Sequence, residues 1–154
     1  MMKNTLFAIA LVLFVSCETE KKTQENIDYT AKNEADIQAY VAENNLEALR
    51  SDSGLYYVIE EEGTGAQAEA TSNVTVAYKG YFLNGSVFDQ SDSEGITFGL
   101  NQVIKGWTEG ITYFKEGGNG ILLVPSHLGY GSWDYNGIPG GSVLIFEVSL
   151  ISVN

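Results

Sequence analysis

Apolar residues recur at helical spacing in one short stretch of the chain and at strand spacing in most of the rest. In 103–110, Val-Ile-Lys-Gly-Trp-Thr-Glu-Gly, and just beyond, Ile104, Trp107, Ile111 and Phe114 fall at i, i+3, i+7 and i+10, one face of a short helix. Gly106 and Gly110 lie inside that pattern. Glycine in a helix costs about 1 kcal/mol relative to alanine, so the pair predicts a neighbour packed too closely for a side chain. A tryptophan at helical spacing is first of all a core residue. Whether Trp107 is core or the floor of a pocket depends on what surrounds it.

Elsewhere the period is two. Residues 55–62 predict a first strand, and 73–83 a second, with Val74, Val76 and Tyr78 alternating against Thr75, Ala77 and Lys79. Asn84-Gly85 is the strongest short hairpin signal, and Val87, Phe88 and Asp89 begin the return. Short strands follow at 96–100 and 120–125, the latter ended by Pro125. The closing strand spans 142–153, with Leu144, Phe146, Val148 and Leu150 on one face. Between the last two strands, 126–141 is a long loop with five glycines and the aromatics Tyr130, Trp133 and Tyr135. Loops of this length in a small domain are usually functional. Ahead of the strands, 33–50 predicts an amphipathic helix with the stripe Ile37, Tyr40, Val41 and Leu46. Asn33 followed by Asp36 is close to a capping box at its start. The pattern is α+β: an antiparallel sheet of about five strands crossed by one short helix.

Composition narrows the chemistry. All 17 glycines and both prolines lie at Gly54 or later, marking 54–154 as the folded domain. A net charge of −12 argues against nucleic acid, because little is available to neutralise phosphates. With Cys17 the only cysteine and His127 the only histidine, an intramolecular disulfide and a multi-histidine metal site are both excluded. The Glu60-Glu61-Glu62 run reads as a solvated strand end, and the 89–100 segment does not match a calcium loop. His127 and Glu109 have no catalytic partner set and read as structural. The start of the chain differs: Lys3, then ten apolar residues over 6–15, then Ser16 and Cys17. Ten are too few to span a bilayer and fit a signal-peptide h-region. Phe14-Val15-Ser16-Cys17 resembles a bacterial lipobox, with Phe14 where leucine is usual. Residues 1–16 are therefore expected to be a lipoprotein signal peptide, Cys17 a lipidated anchor, and 17–32 a polar tether. An ordinary secretory peptide or an uncleaved anchor remain the alternatives.

The spacing of several blocks is specific. Tyr78-Lys79-Gly80, Gly85-Ser86-Val87-Phe88-Asp89, the 103–110 stretch, Pro125-Ser126-His127-Leu128-Gly129-Tyr130-Gly131, Ile138-Pro139 and Phe146 occur in that order. The series resembles the FKBP family of peptidyl-prolyl cis-trans isomerases over essentially the whole folded domain, and the N-terminal part is similar to exported FKBP-type lipoproteins of Bacteroidetes. The resemblance implies a five-stranded antiparallel sheet wrapped around a short helix, with an apolar pocket between them. Trp107 would be the pocket floor, with Tyr78, Phe88, Val103, Ile104 and Phe146 as walls and Tyr130 and Ile138 on the loop side. Asp89 would bond Tyr78 as a buried partner. Ile96, with Phe98 behind it, would complete the wall, and the Ile104 N–H and Tyr130 hydroxyl would bind substrate carbonyls. Gly140, standing where the family often has a second proline, would loosen the loop. Trp133 and Tyr135 either pack within the loop or touch residues flanking the substrate proline.

The implied activity is prolyl isomerisation of exported or envelope proteins at the cell envelope, with no cofactor or metal. Proline-containing polypeptides would be the substrates, macrolide immunosuppressant-type ligands possible occupants, and the membrane a partner through Cys17. Ala77, where many eukaryotic relatives have histidine, predicts activity insensitive to pH near neutrality. Two other classes stay in view: a proline-segment-binding chaperone or interaction module with incidental catalysis, and an aromatic-rich carbohydrate-binding β-domain.

Overall fold

The strand-period residues assemble into a single sheet. The computed structural model describes residues 27–154, so the expected signal segment 1–16, Cys17 and most of the tether lie outside the described residues. In chain order the elements are α1 (Thr30–Glu43), β1 (Leu49–Arg50), β2 (Tyr56–Glu61), β3 (Asn73–Phe82), β4 (Val87–Gln90), β5 (Ile96–Gly99), α2 (Lys105–Gly110), β6 (Asn119–Val124) and β7 (Leu144–Val153). The sheet is antiparallel, in the order β1-β2-β6-β7-β3-β4, with β5 also paired to β3.

β3 pairs with β7 along its whole length, while its other side is shared, β5 taking the first half and β4 the second. β4 and β5 thus complete one edge in two pieces, and the two-residue β1 extends the other. That is how about five expected strands become seven. The hairpin signal is realised: Gly85 has φ +83°, and the Ser86 N–H donates to Asn84 Oδ1 at 2.9 Å.

Alternation sorts the strands' side chains onto two faces. Val74, Val76, Leu122, Val124, Leu144, Phe146 and Val148 join the main core with Trp107, Ile111 and Phe114. Tyr56, Leu123, Val143 and Ile145 form a second core with Ile37 of α1. α2 is only six residues long, followed by a 3-10 turn at Ile111–Tyr113. Its two glycines meet the expectation of close packing. A Cβ on Gly106 would lie 2.5 Å from Val124 Cγ1, and one on Gly110 2.7 Å from Leu122 Cδ2.

The N-terminal region departs from the sequence reading. α1 begins at Thr30 and ends at Glu43, so 30–32 is helix rather than tether and 49–50 is strand rather than helix. Asn33 is not the cap. It lies one turn inside α1, fully buried, with its amide committed elsewhere in the fold. The first turn instead uses Asp28, whose carboxylate accepts the Thr30 N–H at 2.9 Å. The Thr30 side chain, and then that N–H bond, hold the Asp28 carboxyl below its usual value. Among the described residues no helix is long and apolar enough to cross a membrane.

Candidate active site

The site is built where α2 crosses the inner face of the sheet. Gly106 and Gly110 let the helix settle on β6, which brings Trp107, between them, against β3 and β7. The indole is 5% exposed and meets Tyr78 edge-on at 5.1 Å and Phe146 at 5.2 Å between ring centroids. Phe98 of β5 lies against it at 5.4 Å, and Phe88 of β4 meets Phe146 edge-on at 5.5 Å. Edge-to-face contacts of this kind add about 0.5–1.5 kcal/mol each beyond area burial and fix ring orientation. Gly80 of β3 makes room for them: a Cβ there would lie 2.7 Å from Phe88 Cζ and 3.0 Å from Phe146 Cε1.

These rings surround a cavity of about 450 Å³ lined by Tyr78, Phe88, Asp89, Ile96, Phe98, Gln102, Val103, Ile104, Trp107, Tyr130, Tyr135 and Phe146. The size and the aromatic lining suit a small apolar group. Asp89 is the one carboxyl-bearing residue of the lining. It is exposed rather than buried as the resemblance implied, yet it accepts the Tyr78 hydroxyl at 2.6 Å. Burial, and then the Asp89 carboxylate, push the Tyr78 hydroxyl above its ordinary value. Burial also raises Tyr130, with Tyr135 and Asp89 adding to the effect. The pocket therefore offers neutral phenols. Some donors of the lining are left unspent. Among the described residues, neither the Ile104 N–H nor Trp107 Nε1 has a hydrogen-bond partner.

Most residues expected to form the site come together here, with three differences. Gln102, on the 3-10 turn Leu100–Gln102, lines the pocket although no motif marked it; its only signal was its place beside Val103. Ile138 is buried and lines a neighbouring cleft instead, with Phe82, Val87, Phe88, Asp89, Tyr130 and Tyr135. Trp133 lines neither cavity and is 41% exposed. The loop reverses at Asn136-Gly137, both at positive φ, which stacks Tyr135 on Tyr130 at 4.9 Å between centroids and leaves Trp133 on the outside. Nor does Gly140 loosen the loop: its N–H, which a proline would lack, donates to Asp134 Oδ1 at 2.9 Å. The two residues read as structural are so. His127 Nε2 lies 2.9 Å from the Ser53 carbonyl. Glu109 accepts from Ser53 Oγ and the Tyr113 hydroxyl.

A sheet wrapped around a short helix, with an aromatic pocket at their junction, is an arrangement of the FKBP kind. Comparison with known proteins agrees. The model of the FKBP-type peptidyl-prolyl cis-trans isomerase family matches residues 64–151, and the chain belongs to that family of isomerases. The isomerase FkpA of Buchnera aphidicola subsp. Acyrthosiphon pisum is 37% identical over 145 residues, covering 88% of this chain and 60% of the relative. FkpA of Aeromonas hydrophila is 40% identical over 138 residues, 88% of this chain and 47% of the relative. The chain spans about half the length of the curated relatives it matches. Among solved structures, FkpA from Escherichia coli is similar with a TM-score of 0.72 at 38% identity, over 81% of this chain and 61% of that one. A peptidyl-prolyl cis-trans isomerase from Pseudomonas syringae has a TM-score of 0.71 at 28% identity, over 84% of this chain and 98% of that one.

Proposed function

We propose that this chain accelerates cis–trans exchange of X–Pro bonds by holding the proline on Trp107. The observation that carries the reading is the aromatic box itself: a floor indole braced by Tyr78, Phe98 and Phe146, beside an unpartnered Ile104 N–H. Rotation about an imide breaks no σ bond and moves no proton, so it needs no acid, base or metal. Its barrier, about 18–20 kcal/mol, comes from amide resonance. A pocket lowers that barrier by fitting the twisted imide better than the planar one, each ~1.4 kcal/mol of difference giving about tenfold in rate. The planar form is the more dipolar, and a largely apolar box disfavours it. The Ile104 N–H and the Tyr130 hydroxyl then fix the flanking carbonyls, while Asp89 holds Tyr78 in the wall. Macrolide immunosuppressant-type ligands would occupy the same box.

The substrates in this reading are proline-containing segments of exported or envelope proteins, 54–154 is the catalytic domain, and the chain is a lipoprotein held to the membrane through Cys17. What supports the anchor is a lone cysteine separated by only Ser16 from a ten-residue apolar run. Mass spectrometry of the mature N-terminus tests it, an unmodified Cys17 removing the anchor. A protease-free isomerisation assay on a proline tetrapeptide tests the activity; the wild-type rate should exceed background clearly, and a background rate sinks the enzyme reading.

A second reading rests on apolar surface at the pocket and the neighbouring cleft, where Ile96 is 47%, Tyr135 51% and Val87 47% exposed. Such a surface suits a module that binds unfolded segments, catalysis being incidental. Proline-free clients bound as tightly as proline-containing ones would favour it.

A further inference from the structure

Asn33 occupies a position where the helix pattern calls for an apolar residue. It lies four before Ile37 on the buried face of α1 and is itself 0% exposed. A polar side chain buried there is costly unless its groups are paired, and both are. Asn33 Oδ1 accepts the Ser126 N–H at 2.8 Å, and Nδ2 donates to the Gly141 carbonyl at 2.9 Å. The fixed roles of those two backbone groups settle which way the amide points. Ser126 and Gly141 lie near the two ends of the long connection between β6 and β7, which carries Tyr130 and Tyr135 to the pocket.

Two further contacts join the same partners. The Tyr29 ring fills the space beside Gly141, whose φ of +77° excludes most side chains. Ser132 Oγ donates to the Ile27 carbonyl at 2.7 Å. Within the loop, the Gly131 N–H returns to the Ser126 carbonyl and the Gly141 N–H to the Gly131 carbonyl, both at 2.8 Å. A single side chain therefore closes a ring of hydrogen bonds at the base of the loop.

We propose that Asn33 is a positioning residue for the isomerase pocket: it clamps both ends of loop 126–141 and so fixes Tyr130 over the bound proline. The consequence for binding rests on the isomerase reading above; the clamp itself does not. α1 is then part of the active-site apparatus although it contributes no pocket atom, and releasing it would loosen substrate binding without touching the floor.

The test uses the full chain and two variants. Asn33→Leu keeps an apolar side chain against the sheet while leaving Ser126 N–H and Gly141 C=O unpaired. Ile37→Ala weakens α1 packing without removing either bond. Hydrogen exchange should show the Gly131 and Gly141 amides losing about tenfold in protection in Asn33→Leu, with central β3 and β7 amides unchanged. With a proline tetrapeptide, KM should rise about tenfold and kcat change less than about twofold, while Ile37→Ala lowers Tm yet leaves KM near wild type. Unchanged loop protection in Asn33→Leu overturns the clamp, whether or not the wild type isomerises. Unchanged KM in an active protein, or an equal rise in Ile37→Ala, overturns the positioning role. Should Asn33→Leu not fold, Asn33→Ser is read by the same outcomes.

Discussion

The aromatic residues around this pocket are held in two opposite ways. Tyr78, Phe98, Phe146 and Trp107 project from strands and a helix, and the indole is in ring contact with all three of the others. Tyr130, Trp133 and Tyr135 ride on a loop, half open to solvent, with one stacked pair between them. The first group supplies a floor whose shape is set by the fold. In the isomerase reading, Tyr130 and Tyr135 would supply a rim that meets different sequences around a proline. Catalysis by shape needs the rigid group, and tolerance of many substrates needs the other.

The sharpest way to break this division is to remove the floor. Trp107→Ala should lower stability by about 3–5 kcal/mol and kcat/KM on the order of 100-fold, read by urea unfolding and the tetrapeptide assay. Trp107→Leu should recover much of the stability and little of the activity; full activity in either variant would return the indole to plain core. A smaller effect should follow from disturbing how the floor is seated. Gly106→Ala sets a methyl against Val124, and overpacking of that kind costs about 1–3 kcal/mol. An unchanged urea midpoint would show that α2 can move off β6 freely.

Phenols partly withdrawn from water, Tyr78 of the rigid group among them, predict the response to pH. Burial and the Glu109 hydrogen bond push the Tyr113 hydroxyl up to about 12, and burial first of all raises Tyr78 and Tyr81. A phenol raised on folding contributes stability that is complete below its unfolded value near 10 and is lost as pH climbs through the folded one. Thermal midpoints should hold up to about pH 10 and fall above it. With no histidine in the pocket, kcat/KM should stay flat between about pH 6 and 8; a sigmoidal step there would contradict the site. The rim should give the smallest effects. Tyr135→Ala should change kcat/KM by about threefold, differently for different residues beside proline, and Trp133→Ala should change nothing measurable.

Much of this was legible because period and packing coincide. Val74, Val76 and Tyr78 alternate and do share a face; Gly106 and Gly110 do mark close contact. The misses have a common physical cause. Asn33 looked like a cap because a cap and a buried bridge use the same amide, and the difference lies in partners 93 and 108 residues away. Trp133 stayed open between loop packing and substrate contact because the turn at Asn136-Gly137, which aims the loop, is a matter of backbone dihedrals rather than of side-chain pattern. Gln102 was invisible for the converse reason, being placed by a 3-10 turn with no periodicity to read.

The contrast between the two indoles has a practical side. The chain holds only two tryptophans, one 5% and one 41% exposed. The buried one lines the pocket and, among the described residues, has an unbonded Nε1, while the other does not line it. A ligand entering the pocket changes the surroundings of the first emitter and leaves the second as a constant background. Replacing Trp133 with phenylalanine would leave a protein that reports occupancy of its own site by intrinsic fluorescence, with no label attached.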